Sequence, residues 1–165
     1  MHRLVRALWP VALWMGVVFT LSTDLGSATH TSRILTPVLR WLHPSISAGG
    51  IELAHLLVRK TAHTFEYAVM ALLLIRALRI TWAVPRERWS WPMAGWALAG
   101  AAGYAMTDEL HQYFVGSRGA SPYDVMIDTG GAMLGLLLAY TWTWWRSRRG
   151  PPPMLAGDPV QDISG

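Results

Sequence analysis

Two stretches of the chain combine chemically capable residue types with a spacing that lets them meet. The first is R-K-T-A-H-T-F-E-Y, from Arg59 to Tyr67. Steps of three to four residues put Lys60, His63 and Tyr67 on one stripe of a helix, with Glu66 beside His63 at a three-residue offset. A His-Glu pair of this kind serves either as a helix-helix contact or as an acid-base couple. The neighbouring Arg59 and Lys60 favour a functional role, because they fall on the side of the bilayer that the distribution of basic residues disfavours. The second stretch is T-D-E-L-H-Q-Y-F-V-G-S-R-G-A-S-P-Y-D, from Thr107 to Asp124, with Asp128 one helical turn further on. Gln112 lies four residues from Asp108 and three from Glu109, within reach of either carboxylate on a helix. Gly116, Gly119 and Pro122 force a turn, and Arg118 sits on it with a planar fork suited to a carboxylate or phosphate.

Asp124 has a structural explanation in Ser121-Pro122: an N-cap, a first-turn proline and an acidic residue near the positive helix end. A pairing with Arg118 or Lys60 is compatible with that role. Asp128 lies a turn deeper and needs a partner from the other stretch or a shared proton.

The elements that must position these residues are apolar. The chain is 52% hydrophobic and 15% charged, its mean hydropathy is +0.26, and its apolar residues fall in long blocks with the charges collected between them. That distribution excludes an ordinary water-soluble enzyme and points to lipid. The absence of cysteine excludes disulfides, thiolate metal sites and cysteine nucleophiles. Roughly 20 helical residues cross a hydrocarbon core of about 30 Å. Four blocks approach that length and predict spans at about 4–22, 61–80, 91–107 and 123–145. The predicted fold is therefore all-α, an integral membrane four-helix bundle. Ala99 with Gly103 and Gly131 with Gly135 have the small-xxx-small spacing that lets helix backbones approach in lipid.

Orientation follows from the basic residues, all but one of which are arginine. Arg3, Arg6, Arg76, Arg79, Arg86, Arg88, Arg146, Arg148 and Arg149 fall on one side; Arg33, Arg40, Arg59, Lys60 and Arg118 fall on the other. Both termini are accordingly expected in the cytoplasm of a multi-pass cell-membrane protein. Trp82, Trp89, Trp91, Trp142, Trp144 and Trp145 cluster at the same predicted boundary. The first apolar block exceeds a secretory signal core of roughly 7–15 residues and is read as a span. Between spans one and two, Ile34, Leu35, Val38, Leu39 and Leu42 recur at helical spacing, predicting an amphipathic segment along the outer surface. The single transmembrane domain covers 1–149; the polar 150–165 stretch, opened by Gly150-Pro151-Pro152-Pro153, reads as a disordered cytoplasmic tail.

Taken together, Lys60, His63 and Tyr67, then Asp108-Glu109 with Gln112 and Phe114, then Arg118, Asp124 and Gly131, resemble the VanZ-like family of small multi-span membrane proteins. Ser22 is similar to a serine that members often carry at the end of the first span. The resemblance covers roughly Trp9 to Trp145, and fixes polar residue types at set offsets in three separate segments. Asp128 departs from it, since many members have asparagine there. The family is named after a protein linked to teicoplanin resistance, so the resemblance implies a cell-envelope protein bearing on glycopeptide susceptibility. It supplies no reaction.

Three functions follow. In the leading one, Arg59, Lys60 and Arg118 contact the phosphate of an anionic membrane lipid or lipid-linked envelope precursor, while Glu66, Asp108, Glu109 and Asp124 orient them. His63, Tyr67, Gln112 and Asp128 complete the candidate set, with no cofactor, no metal and no nucleic acid. In the second, the cluster fixes helix register and the protein acts through an envelope-protein partner or as a homo-oligomer. In the third, His63 and Glu66 form an acid-base pair, or His63 joins Asp108, Glu109 and Asp128 around a divalent metal, with His111 as the only nearby second histidine.

Overall fold

A computed structural model of the 165-residue chain describes residues 2–23, 28–114 and 121–149. Arg118, Gly116, Gly119 and the 150–165 tail lie outside them. The described residues form five helices and no strand: α1 His2–Leu21, α2 Ala28–Leu42, α3 Ala48–Thr81, α4 Trp91–Phe114 and α5 Pro122–Arg148.

The expected all-α class is observed, with two changes to the expected elements. The surface segment between the first two blocks divides at His43-Pro44, and only α2 is separate. The rest of that segment belongs to α3, which begins at Ala48 rather than near Thr61. Glu52, His55, Arg59 and Lys60 hide this first half from a search for apolar blocks, because a charged helical turn reads as a gap. Ser47 starts α3, its hydroxyl accepting from the Gly50 amide at 3.1 Å. Ala83 ends it in the left-handed region at φ 56°, and Pro85 blocks any continuation.

Four helices share one core. Ala7, Val11 and Val18 of α1, Tyr67, Met70, Ala71 and Ile75 of α3, Ala97, Ala101 and Ala105 of α4, and Ala132 and Leu136 of α5 are buried together. Helix α3 touches each of the other four. Contacts between α3 and α5 climb both helices in step: Lys60 meets Asp124 near one end and Arg79 donates to Thr143 Oγ1 at 3.2 Å near the other. The two helices therefore run parallel. Between them, a Cβ at Gly131 would overlap the Thr64 carbonyl and one at Gly135 the Ala68 carbonyl, so the backbones touch as the glycine spacing predicts. The other small-residue pair behaves differently. Ala99 is exposed and Gly103 has open space around it; the buried small residues of α4 are Ala94, Ala97, Ala101 and Ala105. The four-residue spacing was right and its frame was not.

Helices α1 and α5 are long and apolar enough to cross a membrane, with only 17% and 28% of their apolar windows buried. A core helix of a soluble protein would be mostly buried. Here Leu4, Leu8 and Leu13 of α1 and Met133, Leu134 and Leu137 of α5 face outward, as lipid-facing side chains do.

Candidate functional site

The two polar stretches meet near the α3–α5 contact. Helix α3 brings Arg59, Lys60, His63, Glu66 and Tyr67; α4 brings Asp108, Glu109 and Gln112; α5 brings Asp124 and Asp128. Ser22, just past α1, closes the group from a fourth direction.

At the outer edge, Asp124 accepts from Lys60 Nζ and lies 3.6 Å from Arg59 Nη2. It does so from the first turn of α5, where Ser121 caps the helix by accepting from the Tyr123 amide. Both expected roles of Asp124, capping-region acid and ion-pair partner, are thus compatible in one residue. Lys60 and Arg59 are partly exposed, whereas Glu66, Asp108, Glu109 and Asp128 behind them are buried.

One turn deeper, His63 Nδ1 lies 3.8 Å from Glu66 Oε2 and 3.6 Å from Asp128 Oδ1. Asp128 is 1% exposed and neither of its oxygens has a hydrogen-bond partner among the described residues. It also feels the negative charge of Asp108, Glu109, Asp124 and Glu66. Gln112 chooses between its two carboxylates: its Nε2 donates to Asp108 Oδ2 at 3.2 Å and meets the Ser22 hydroxyl at 3.5 Å. Glu109 turns the other way, Oε2 accepting from the Ser121 backbone amide at 2.8 Å, which ties α4 to the start of α5. Tyr67, fully buried, packs near Tyr104 with ring centroids 6.4 Å apart, and its hydroxyl has no partner among the described residues.

Apart from Arg118, which lies outside the described residues, the expected site residues fall into one neighbourhood, Arg59 at its rim and Asp128 at its floor. Sequence spacing overlooked the supports. The Trp14 indole donates to the Glu66 carbonyl at 2.9 Å, and Tyr104 donates to the Met15 carbonyl at 2.6 Å. Both are aromatic residues in apolar blocks, where nothing marks a polar contact. His111 packs on the Phe19 ring at 4.3 Å and is not among the residues grouped around His63.

Electrostatics set the chemistry. Among the described residues, Glu66, Asp108, Glu109, Asp124 and Asp128 outnumber Arg59, Lys60 and His63, and both of the full cations described lie on Asp124. Buried carboxylates left in such surplus require protons or cations. His63, Asp108 and Asp128 each offer an atom within 4.8 Å of the others. Ligands around one small divalent ion stand roughly 3–4 Å apart, given metal-ligand distances near 2.1 Å. A small contraction would therefore let these three hold one, and imidazole with carboxylates is a suitable donor set.

The fold and site define an all-helical protein with membrane-length apolar helices and a buried, acid-rich polar cluster. The VanZ/LLP1 family model matches residues 7–144, and the chain belongs to that family. No curated protein and no solved structure matches it significantly.

Proposed function

We propose that this VanZ-like protein is a multi-pass cell-membrane protein, both termini cytoplasmic, whose polar cluster recognises the phosphate-bearing headgroup of an anionic envelope lipid or lipid-linked precursor. The observation that carries the reading is the pairing of Lys60 and Arg59 on one carboxylate at the rim of a buried polar site. Asp124 holds the two cations side by side and offsets one of their two positive charges; an arriving phosphate would take over their hydrogen bonds as the stronger, multiply charged acceptor. Leu53, Leu56 and Leu57 of α3 and Tyr123 and Met126 of α5 are exposed near that rim and would meet acyl chains. A link to glycopeptide susceptibility would follow from altered availability of surface precursors.

The test is lipid identification by mass spectrometry on natively extracted protein, followed by binding assays with the lipid found. Lys60→Ala and Arg118→Ala should each weaken binding about 10- to 100-fold, the worth of one charged hydrogen bond. Equal affinity of wild type and both variants would end this reading.

The grouping of His63, Asp108 and Asp128 favours a second reading, a divalent cation in the cluster that neutralises the surplus acid and activates or orients a ligand. Metal analysis of purified protein separates the two: no bound metal and no loss of stability in chelator removes the cation.

A further inference from the structure

The opposite end of the same helix pair carries a second feature that the polar cluster does not use. Along α3, Arg76 lies about 20 Å from His63 at 1.5 Å per residue; along α5, Arg146 lies about 27 Å from Asp128. There a cavity of about 1180 Å³ opens between α3, α5 and the start of α1. Arg3, Arg76, Arg79, Arg86 and Arg146 line it; among the described residues no carboxylate does, and the nearby charge of Glu87 acts on Arg79.

Positive-inside topology alone would explain arginines pointing into water. These are arranged differently. Arg76 Nη1 is buried and has no hydrogen-bond partner among the described residues. Arg79 is held by the Thr143 hydroxyl and the Trp89 ring, and Arg146 lies over Trp142 at 5.0 Å. Stacking fixes a guanidinium's plane while leaving its N–H donors free for another acceptor. Leu72, Ile75, Ile80 and Leu138 supply an apolar wall. The volume exceeds what a single phosphate needs and suits a headgroup together with the upper part of its acyl chains.

We propose that this arginine-lined cavity between α3 and α5 is a binding site for an anionic phospholipid, distinct from the polar cluster, with the headgroup phosphate on Arg76, Arg79 and Arg146 and the chains along Leu72, Ile75 and Leu138. A lipid is the occupant the cavity favours because charge and apolar wall share one space; a soluble anion would use the first and leave the second wet.

The experiment titrates the full-length, detergent-solubilised protein with phosphatidylglycerol, cardiolipin and phosphatidylcholine, reading occupancy by native mass spectrometry, with glycerol phosphate and inorganic phosphate as tail-free controls. Anionic lipids should bind at least tenfold more tightly than phosphatidylcholine, and more tightly than either control. Made in the Lys60→Ala background, where the polar cluster contributes little, the Arg76→Gln/Arg146→Gln pair should abolish the preference; Leu138→Trp in the same background, which fills the cavity and leaves every arginine in place, should lower occupancy about tenfold. Lys60→Ala should leave this binding unchanged, which keeps it separable from the polar cluster. Equal binding of anionic and zwitterionic lipids would overturn the proposal, as would a preference that survives both Arg76→Gln/Arg146→Gln and Leu138→Trp. Tail-free phosphates binding as tightly as phosphatidylglycerol would overturn the lipid assignment.

Discussion

The two ends of the α3–α5 pair solve the same problem in opposite ways. At one end, carboxylates gather around His63 and are buried: Asp108, Glu109 and Asp128 are all under a tenth exposed. At the other, arginines gather around tryptophans and stay at least partly open. The difference follows from the side chains. A guanidinium is weakly hydrated and can rest on an aromatic face with no counterion. A carboxylate has no such surface, so the acidic end must be satisfied by donors brought from several helices, Lys60 from α3, Gln112 from α4 and the Ser121 amide at the start of α5. One end is therefore a network that folds as a unit, and the other is a set of nearly independent contacts.

Breaking the seam that joins the ends should have the largest effect. Gly131→Leu or Gly135→Leu forces a side chain into the backbone of α3, and an overlap of that kind costs several kcal/mol. Neither variant should be recovered as a monodisperse, helical protein by size exclusion and circular dichroism, and a stable Gly135→Leu protein would contradict the close approach. Next comes the acidic end. Asp124→Ala leaves Lys60 and Arg59 unpaired, and because both are partly exposed the loss should be about 1–3 kcal/mol in unfolding titrations. A double-mutant cycle with Lys60→Ala should show strong coupling; additivity would mean that the pair contributes little.

Asp128→Asn tests the surplus charge. It removes a buried carboxylate whose oxygens have no hydrogen-bond partner among the described residues and should raise the stability of metal-free protein by about 1–2 kcal/mol. With a divalent cation present, wild type should gain thermal stability and Asp128→Asn should not; identical gains would remove Asp128 from any cation site. The smallest effect belongs to the arginine end, where Arg146→Gln forfeits one stacking contact and should cost about 0.5–1 kcal/mol. A larger loss there would show that this end too is a coupled network.

Much of the acidic end was legible in the sequence, because polar residues at helical offsets inside apolar blocks have few alternatives to meeting one another. Lys60, His63 and Tyr67 predicted their own stripe, with Glu66 beside His63, and Ser121-Pro122 predicted the start of α5. Three things were not legible. The partner of Gln112 depended on the rotation of α4, which spacing leaves open between Asp108 and Glu109. The buried frame of α4 was missed because Ala97, Ala99, Ala101 and Gly103 offer two equally small faces, and only packing against α3 and α5 selects one. The cavity required residues from the start of α1 and the ends of α3 and α5 to converge, a property of the fold rather than of any segment.

The glycine contact between α3 and α5 has a mechanical consequence. Sliding one helix past the other by a single turn, about 5.4 Å, would unseat both glycines and separate Lys60 from Asp124 and Arg79 from Thr143 in the same movement. Translation along the shared axis is locked, and what remains soft is pivoting about the notch, so an object wedged at either mouth would tilt the pair like a lever and be felt at the far one.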